Sequence, residues 1–243
     1  MTAVDTSTTL LDELREHAKR SGTAEAIRPV HGDIHGALPR LTTPGSVAAV
    51  VCMGDTLPHL SSRTHVQELI TDIAKALRPG GSFVATYRDL THELIGPDRF
   101  IPVRSTADRI LTCFLDYPDE NTVQVHDLLH TRHDDGWQLK ASSYPKLRLA
   151  PQWVTDQCRM AGLDIRHDEV GPAVCASCTP SSPDIDAYSG CVRRGPASHQ
   201  CNPRWHARPS GVGSGHMASQ LVGQALHDRA VGAPHRGPYD RGQ

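Results

Sequence analysis

The sequence predicts an α/β fold: a Rossmann-like, mostly parallel sheet, an antiparallel strand insertion late in the domain, and a low-order C-terminal tail. Three observations carry this expectation. Seven consecutive apolar residues, Val47 to Met53, are bounded by turn residues, as a strand buried in a parallel sheet requires. They lead into a helical pattern and then a second strand-like run, Ser82 to Tyr87. Beyond Arg109 the helical spacing gives way to three longer strand patterns joined by turns.

Each element has its own signal. Thr2 to Asp5 has the character of a strand end, and Thr6 to Thr9 supply helix N-caps. Leu10, Leu11, Leu14 and Ala18 form the apolar stripe of a helix that Gly22 closes. Ala26 to Val30 is the next strand, ending in His31-Gly32-Asp33-Ile34; a short turn and Thr43-Pro44-Gly45 lead into Val47. Val66, Leu69, Ile70, Ile73, Ala74 and Leu77 mark the crossover helix, with Thr64 and Gln67 as its capping box. Lys75 and Arg78 suit its last turn, and Pro79-Gly80 stops it. The strand-helix-strand unit should cross over right-handedly. Later strands are expected over Arg109 to Tyr117, Asn121 to Thr131 and Trp137 to Leu149, the last two joined at Asp135-Gly136. Pro151 opens a final helix with Trp153, Val154 and Cys158 on its apolar face; Gly162 closes it, and Leu163 to Val170 is one more strand.

Charge and composition divide the chain near residue 171. Residues 1–171 hold 18 Lys+Arg and 23 Asp+Glu, a net of -5, whereas residues 172–243 hold 7 and 4, a net of +3. The second part has no Lys, Glu or Phe, and 17 of its 72 residues are Gly or Pro. Such a composition repays little of the entropy of ordering, so a domain over 1–171 and a low-order tail over 172–243 are expected. An overall net charge of -2 gives no footprint for nucleic acid. The N-terminus lacks signal-peptide features and no apolar run approaches a membrane span, so a cytoplasmic protein with no membrane partner is expected. Cys52, Cys113 and Cys158 are scattered as structural thiols are. The other four cysteines lie in the tail, where Cys175-x-x-Cys178 with Cys191, Cys201, His199 or His206 offers a minor zinc-module reading.

In open parallel sheets ligands bind beyond the carboxyl ends of the strands. Those ends carry Asp5, Asp33-Ile34, Gly54-Asp55 and Arg88-Asp89. Asp5 would accept both hydroxyls of a ribose if one strand is missing before it; otherwise it is a helix cap. Asp33 suits the exocyclic amine of a purine with Ile34 packed on the ring, or a solvated turn. Gly54 lets a ligand approach the backbone beside Asp55. His59 is a proton acceptor or substrate contact, or else a packing or capping residue.

The ordered set Ala3-Val-Asp5, Gly32-Asp-Ile34, V-C-M-G-D-T-L-P-H-L at Val51 to Leu60 and L-R-P-G-G-S-F at Leu77 to Phe83 resembles class I S-adenosylmethionine-dependent methyltransferases. S-S-Y-P-K-L-R-L at Ser142 to Leu149, followed by a helix and A-G-L-D-I, is similar to small-molecule members of the glycine/sarcosine type. The resemblance covers about residues 2–171. It implies S-adenosylmethionine as cofactor, with Asp5 on the ribose, Asp33 and Ile34 at the adenine, and Met53, Gly54 and Asp55 at the methionine end. It further implies a small-molecule methyl acceptor, with His59 the first choice for a base and Arg88 and Tyr144 as substrate contacts.

Two departures from the family pattern stand out. A first strand and glycine-rich loop should precede Asp5 by ~20 residues, yet four residues stand there. The family's final strand should follow Val170-Gly171-Pro172, where A-V-C-A-S-C-T-P-S-S stands instead. Arg outnumbers Lys by 21 to 4, as GC-rich coding DNA produces. The expectation is therefore an N-terminally incomplete domain with an out-of-frame tail, and its competing reading is a non-catalytic remnant that binds cofactor weakly or not at all.

Overall fold

The computed structural model describes residues 1–172 and 186–194. In chain order the elements are β1 (Thr2–Asp5), α1 (Thr8–Arg20), β2 (Arg28–His31), α2 (Ala37–Leu41), β3 (Val47–Cys52), α3 (Arg63–Ala76) and β4 (Leu77–Arg88). Then follow β5 (Phe100–Ser105), β6 (Arg109–Asp116), β7 (Thr122–His133), β8 (Gly136–Leu147), α4 (Pro151–Met160), β9 (Leu163–Pro172) and β10 (Asp186–Arg194). The strands form three sheets, ordered β1-β2, β3-β4-β10-β9 and β5-β6-β7-β8. β1 pairs with β2 and β3 with β4 in parallel; the remaining pairs are antiparallel. The expected α/β architecture, with a parallel portion and an antiparallel insertion, is what the chain forms.

The crossover unit β3-α3-β4 organises the main core. Val66, Leu69, Ile70 and Ile73 on α3 are fully buried against Cys52, Phe83 and Ala85 of the sheet. α4 adds Val154 and Cys158 to the same cluster. Burying four aliphatic side chains of this size contributes on the order of 6–12 kcal/mol, which explains why the 3.6-residue stripe was so legible. A second, smaller core of Leu90, Ile101, Cys113, Leu115, Val123 and Val125 lies on one face of the antiparallel sheet.

Several boundaries differ from expectation, each for a local reason. Ser62 caps α3, its hydroxyl accepting from His65 N at 3.1 Å, so the capping box expected at Thr64 and Gln67 is displaced by two residues. Pro79-Gly80-Gly81 does not follow a helix end at Leu77 or Arg78; the helix stops at Ala76 and these residues open β4. Gly81 is required there, because a Cβ would meet Arg78 O at 2.9 Å and Val47 O at 3.1 Å, where the β3–β4 register shifts. The β7–β8 hairpin turns at Asp134-Asp135, one residue earlier than expected, with Gly136 taking φ 131° at the start of β8. α2 and β5 were not foreseen. α2 is five residues long with Pro39 inside it, and Pro102 marks β5 as the edge strand it is.

Asp186–Arg194 was read as part of a low-order tail, with no final strand in the sheet. Its backbone instead forms β10, inserted between β4 and β9. The remaining tail expectations, the zinc module among them, lie outside the described residues or concern side chains that are not described.

Among the described residues no strand ladder joins β1 to β3. β3 pairs along one edge only, and Val51 on it is 59 % exposed. The two parts are joined through Ile34 and Leu38, which pack on the main core, and through Gly45 N, which donates to Lys75 O at 2.9 Å.

Replacing Gly81 by Ala should cost about 1–3 kcal/mol, the range for overpacking against backbone, read as a lowered midpoint in urea or thermal unfolding. A neutral Gly81→Ala would contradict the close approach of β3 to β4.

Candidate functional site

The site is built where the carboxyl ends of β3 and β4 meet the antiparallel sheet. β3 ends in Met53-Gly54-Asp55, with Gly54 at φ 65° and Asp55 at φ 71°; Asp55 is the one non-glycine with positive φ among the described residues. A residue other than Gly held in this region is strained by of order 1–3 kcal/mol and must be held there by its surroundings. Thr86 does part of this: its carbonyl accepts from Asp55 N (3.2 Å) and its hydroxyl oxygen from Gly54 N (3.1 Å).

The Asp55 carboxylate does the rest. It is 2 % exposed, accepts from Arg88 N at 2.7 Å and from Lys146 Nζ at 2.8 Å, and has Arg88 Nε at 3.5 Å. Burial alone would raise its pKa. The Lys146 ammonium, the Arg88 guanidinium and the two hydrogen bonds outweigh that and hold the carboxyl well below its ordinary range. Lys146 is itself 2 % exposed and comes from β8, so this pair fastens the antiparallel sheet to the end of β3. Leu147 N donates to Pro58 O at 2.8 Å beside it.

Next to Lys146 the inward face of the antiparallel sheet carries a polar group. Strand register places Cys113, Asp127 and Ser142 in one row, and Leu115, Val125 and Tyr144 in the next. Cys113 Sγ donates to Asp127 Oδ1 at 2.9 Å. Asp127 Oδ2, the Ser142 hydroxyl and the Tyr144 hydroxyl are buried and complete no hydrogen bond of proper geometry among the described residues. Burial raises the Asp127 carboxyl, and hydrogen bonding from Cys113 and the charge of Lys146 offset only part of that. Burial, then the neighbouring Asp127 charge, push the Tyr144 phenol and the Cys113 thiol far upward, so both stay protonated.

The structure brings the expected catalytic residues together. The His59 ring stacks on Tyr144 with centroids 5.4 Å apart, Lys146 Nζ lies 5.8 Å over the same Tyr ring, and Arg88 joins through Asp55. Of the residues expected at the cofactor, Met53 lies at the rim with its sulfur 3.7 Å from the Thr86 hydroxyl, which donates to it. Asp55 is turned inward onto Lys146, away from any rim position. Asp5 ends β1, and its Oδ1 accepts from Ser7 N at 2.7 Å, just before α1 begins. Asp33 Oδ1 accepts from His35 N at 2.8 Å in a turn of its own, while Ile34 packs on the main core. Asp5, Asp33 and Ile34 thus stand apart from the His59–Tyr144–Asp55 group.

Asp127, Lys146 and Cys113 were missed in the sequence. The signal was present: the inward series Val123, Val125, Asp127, Leu129 places one carboxylate in an apolar row, and Ser142, Tyr144, Lys146 continues the theme on β8. Cys52 and Cys158, expected to be structural, are buried thiols whose pKa burial pushes up to about 12.

Replacing Lys146 by Ala leaves the Asp55 carboxylate buried and should cost about 3–5 kcal/mol in denaturant unfolding. The Asp55 pKa is depressed on folding, so its contribution is complete above the unfolded carboxyl range near ~4 and drains away as pH falls below it. Lys146→Ala should therefore also flatten the acid limb of stability against pH. Asp127 has the opposite sign: its pKa is raised on folding, so stability falls as pH rises through the folded value. Asp127→Asn should gain about 1 kcal/mol at neutral pH and remove that slope; a loss of stability there would show the carboxylate to be structural.

Comparison with known proteins gives three findings. Residues 1–81 match the family model described as a methyltransferase domain. No curated protein matches the chain. Among solved structures, the CcbJ methyltransferase from Streptomyces caelestis is similar at TM-score 0.62 and 19% identity, covering 80% of this chain and 74% of that one. An S-adenosylmethionine-dependent methyltransferase from Clostridium acetobutylicum follows at TM-score 0.61 and 13% identity, covering 80% and 75%. An amino pentose methyltransferase from Micromonospora echinaspora, solved with S-adenosylmethionine bound, gives 0.52 and 12%, covering 79% and 73%.

Proposed function

Since the chain carries the fold of class I S-adenosylmethionine-dependent methyltransferases, we propose that it transfers a methyl group from that cofactor to a small-molecule acceptor. The observation that carries the choice of a small acceptor is the Lys146–Asp55 pair. It draws the antiparallel sheet over the carboxyl ends of β3 and β4, where an open sheet receives its ligands. Two of the similar structures fit a small acceptor: one is an amino pentose methyltransferase and another a sugar N-methyltransferase.

The residues fit the adenosine half of the cofactor. Asp5 and Asp33 supply carboxylates at the ends of β1 and β2, and open space lies beside Gly32. When bound, the cofactor supplies an electrophilic methyl on a sulfonium. This chain's own residues then have to orient the acceptor and remove water, because in-line transfer gains most from positioning. The His59 ring stacks on Tyr144, and the Arg88 guanidinium stands against Asp55 nearby. Asp127, kept dry, is placed to hold the proton of an amine or hydroxyl acceptor.

The sheet itself favours a second reading. With β1 and β3 unjoined, a non-catalytic remnant that holds cofactor weakly or not at all is the competing function. We likewise propose that β10 completes the domain of residues 1–171.

Calorimetric titration of the full chain with S-adenosylmethionine separates the two. Micromolar binding that Asp33→Ala weakens tenfold or more, about 1.4 kcal/mol, is expected of the enzyme; absence of heat would leave the remnant. Methylation of an amino-sugar panel then reports the acceptor.

A further inference from the structure

Away from the polar cluster, three metal-binding side chains converge without an assigned role. His65 and Glu68 stand three residues apart on α3, hence on one face of the helix, and His35 reaches them from the loop after β2. One ligand atom from each, a ring nitrogen of each His and a carboxylate oxygen of Glu68, all lie within 4.8 Å of one another. The two imidazoles are stacked at 3.9 Å with planes 15° apart. His35 Nε2 is 2.5 Å from Glu68 Oε2, and His65 Nδ1 is 2.7 Å from the Ser61 hydroxyl.

We propose that His35, His65 and Glu68 bind a late first-row divalent cation, Zn²⁺ foremost. Two imidazoles and one carboxylate are a borderline N₂O set that suits zinc, with a fourth position left for water. His35 and Glu68 line a surface cleft of about 360 Å³ together with Thr64, Gln67 and Lys75. With metal–ligand bonds of about 2.0–2.2 Å, ligand atoms in a tetrahedral site stand about 3.4 Å apart. The cluster therefore has to contract by no more than about 1.5 Å, which rotation of the side chains provides, Glu68 being exposed and His35 partly so. Ser61 already orients the His65 ring through its hydroxyl, as an outer-shell partner of a metal-bound His does. Asp33 Oδ1 accepts from the His35 backbone N–H and so holds the loop that carries His35.

The position gives the ion a structural task. His35 belongs to the β1-β2 part and α3 packs on the main sheet, and among the described residues no strand ladder runs between those parts. A cation there replaces the His35–Glu68 contact by three metal–ligand bonds, one from His35 on one side of the seam and two from α3 on the other. The three residues lie outside the His59–Tyr144–Asp55 group, and His35 directly follows the Asp33-Ile34 turn proposed for the adenosine, so the test reads metal uptake and not methyl transfer.

The test uses the full chain, whose tail cysteines are competing donors. Co²⁺ titration at neutral pH should give one equivalent with d–d absorption and no thiolate-to-cobalt charge-transfer band. Zn²⁺ calorimetry should show the same stoichiometry. His35→Ala and Glu68→Gln should each weaken uptake by tenfold or more, and Ser61→Ala by about 10–100-fold. Zn²⁺ should raise the thermal midpoint of the unsubstituted chain and not that of Glu68→Gln, whose exposed amide leaves the helix intact. No uptake, uptake with a thiolate band, or uptake unchanged in His35→Ala would each overturn the proposal, leaving an ordinary His–Glu ion pair.

Discussion

The Asp55 carboxylate, closed between Lys146 and the Arg88 backbone, is the contact on which the arrangement of the rest depends. Its two oxygens collect three chain segments: the end of β3, the end of β4 and the last turn of β8. Taking both charges out of water is expensive, and the attraction between them in a poorly polarisable interior offsets that only when geometry is good. Here it is, and Arg148 reinforces it nearby, its guanidinium donating to the carbonyls of Leu90, Thr91 and Asp119 and to Glu93. Hydrophobic burial makes each sheet stable, but it is non-directional. These buried cations fix how one sheet sits on the other, and therefore what the residues between them face.

What they enclose is a cost to the fold. Asp127 Oδ2 and the Ser142 and Tyr144 hydroxyls are buried without a hydrogen bond of proper geometry among the described residues, on a sheet face that Leu and Val would have filled without penalty. A row of this kind is expensive to keep unless something else fills the missing partners. Its position one strand away from Lys146 joins it to the group containing His59 and Tyr144, and gives the roofed site its only dry carboxylate among the described residues besides Asp55.

How much of this could be read from residues alone follows from the range over which each signal acts. The α3 stripe and the β3 run were legible because local periodicity and burial agree there. Asp135-Gly136 was read correctly as a hairpin but one residue late, because only the ladder fixes which residue takes the positive φ. α2 and β5 were invisible, each short and each containing a proline that local rules count against. β10 was invisible for a different reason: it is stabilised by two neighbours distant in sequence, in a segment whose composition argues for disorder. For the site, His59, Arg88 and Tyr144 are expected through resemblance. Lys146 and Asp127 are not, since pairing a residue of β8 with one at the end of β3 is a matter of sheet packing that no local pattern encodes.

The division between β1-β2 and the main sheet bears on cooperativity. A sheet with continuous ladders transmits the loss of one strand to all its neighbours; this one is interrupted between β1 and β3. The first 46 residues are held to the remainder by side-chain packing at Ile34 and Leu38 and by a few hydrogen bonds, and their strands are four residues each. Such a segment opens at a lower free energy than the α3 core and forms a folding unit of its own. Amide protons of β1 and β2 would then exchange ahead of those of β4, and a single midpoint would describe only the larger part of the molecule.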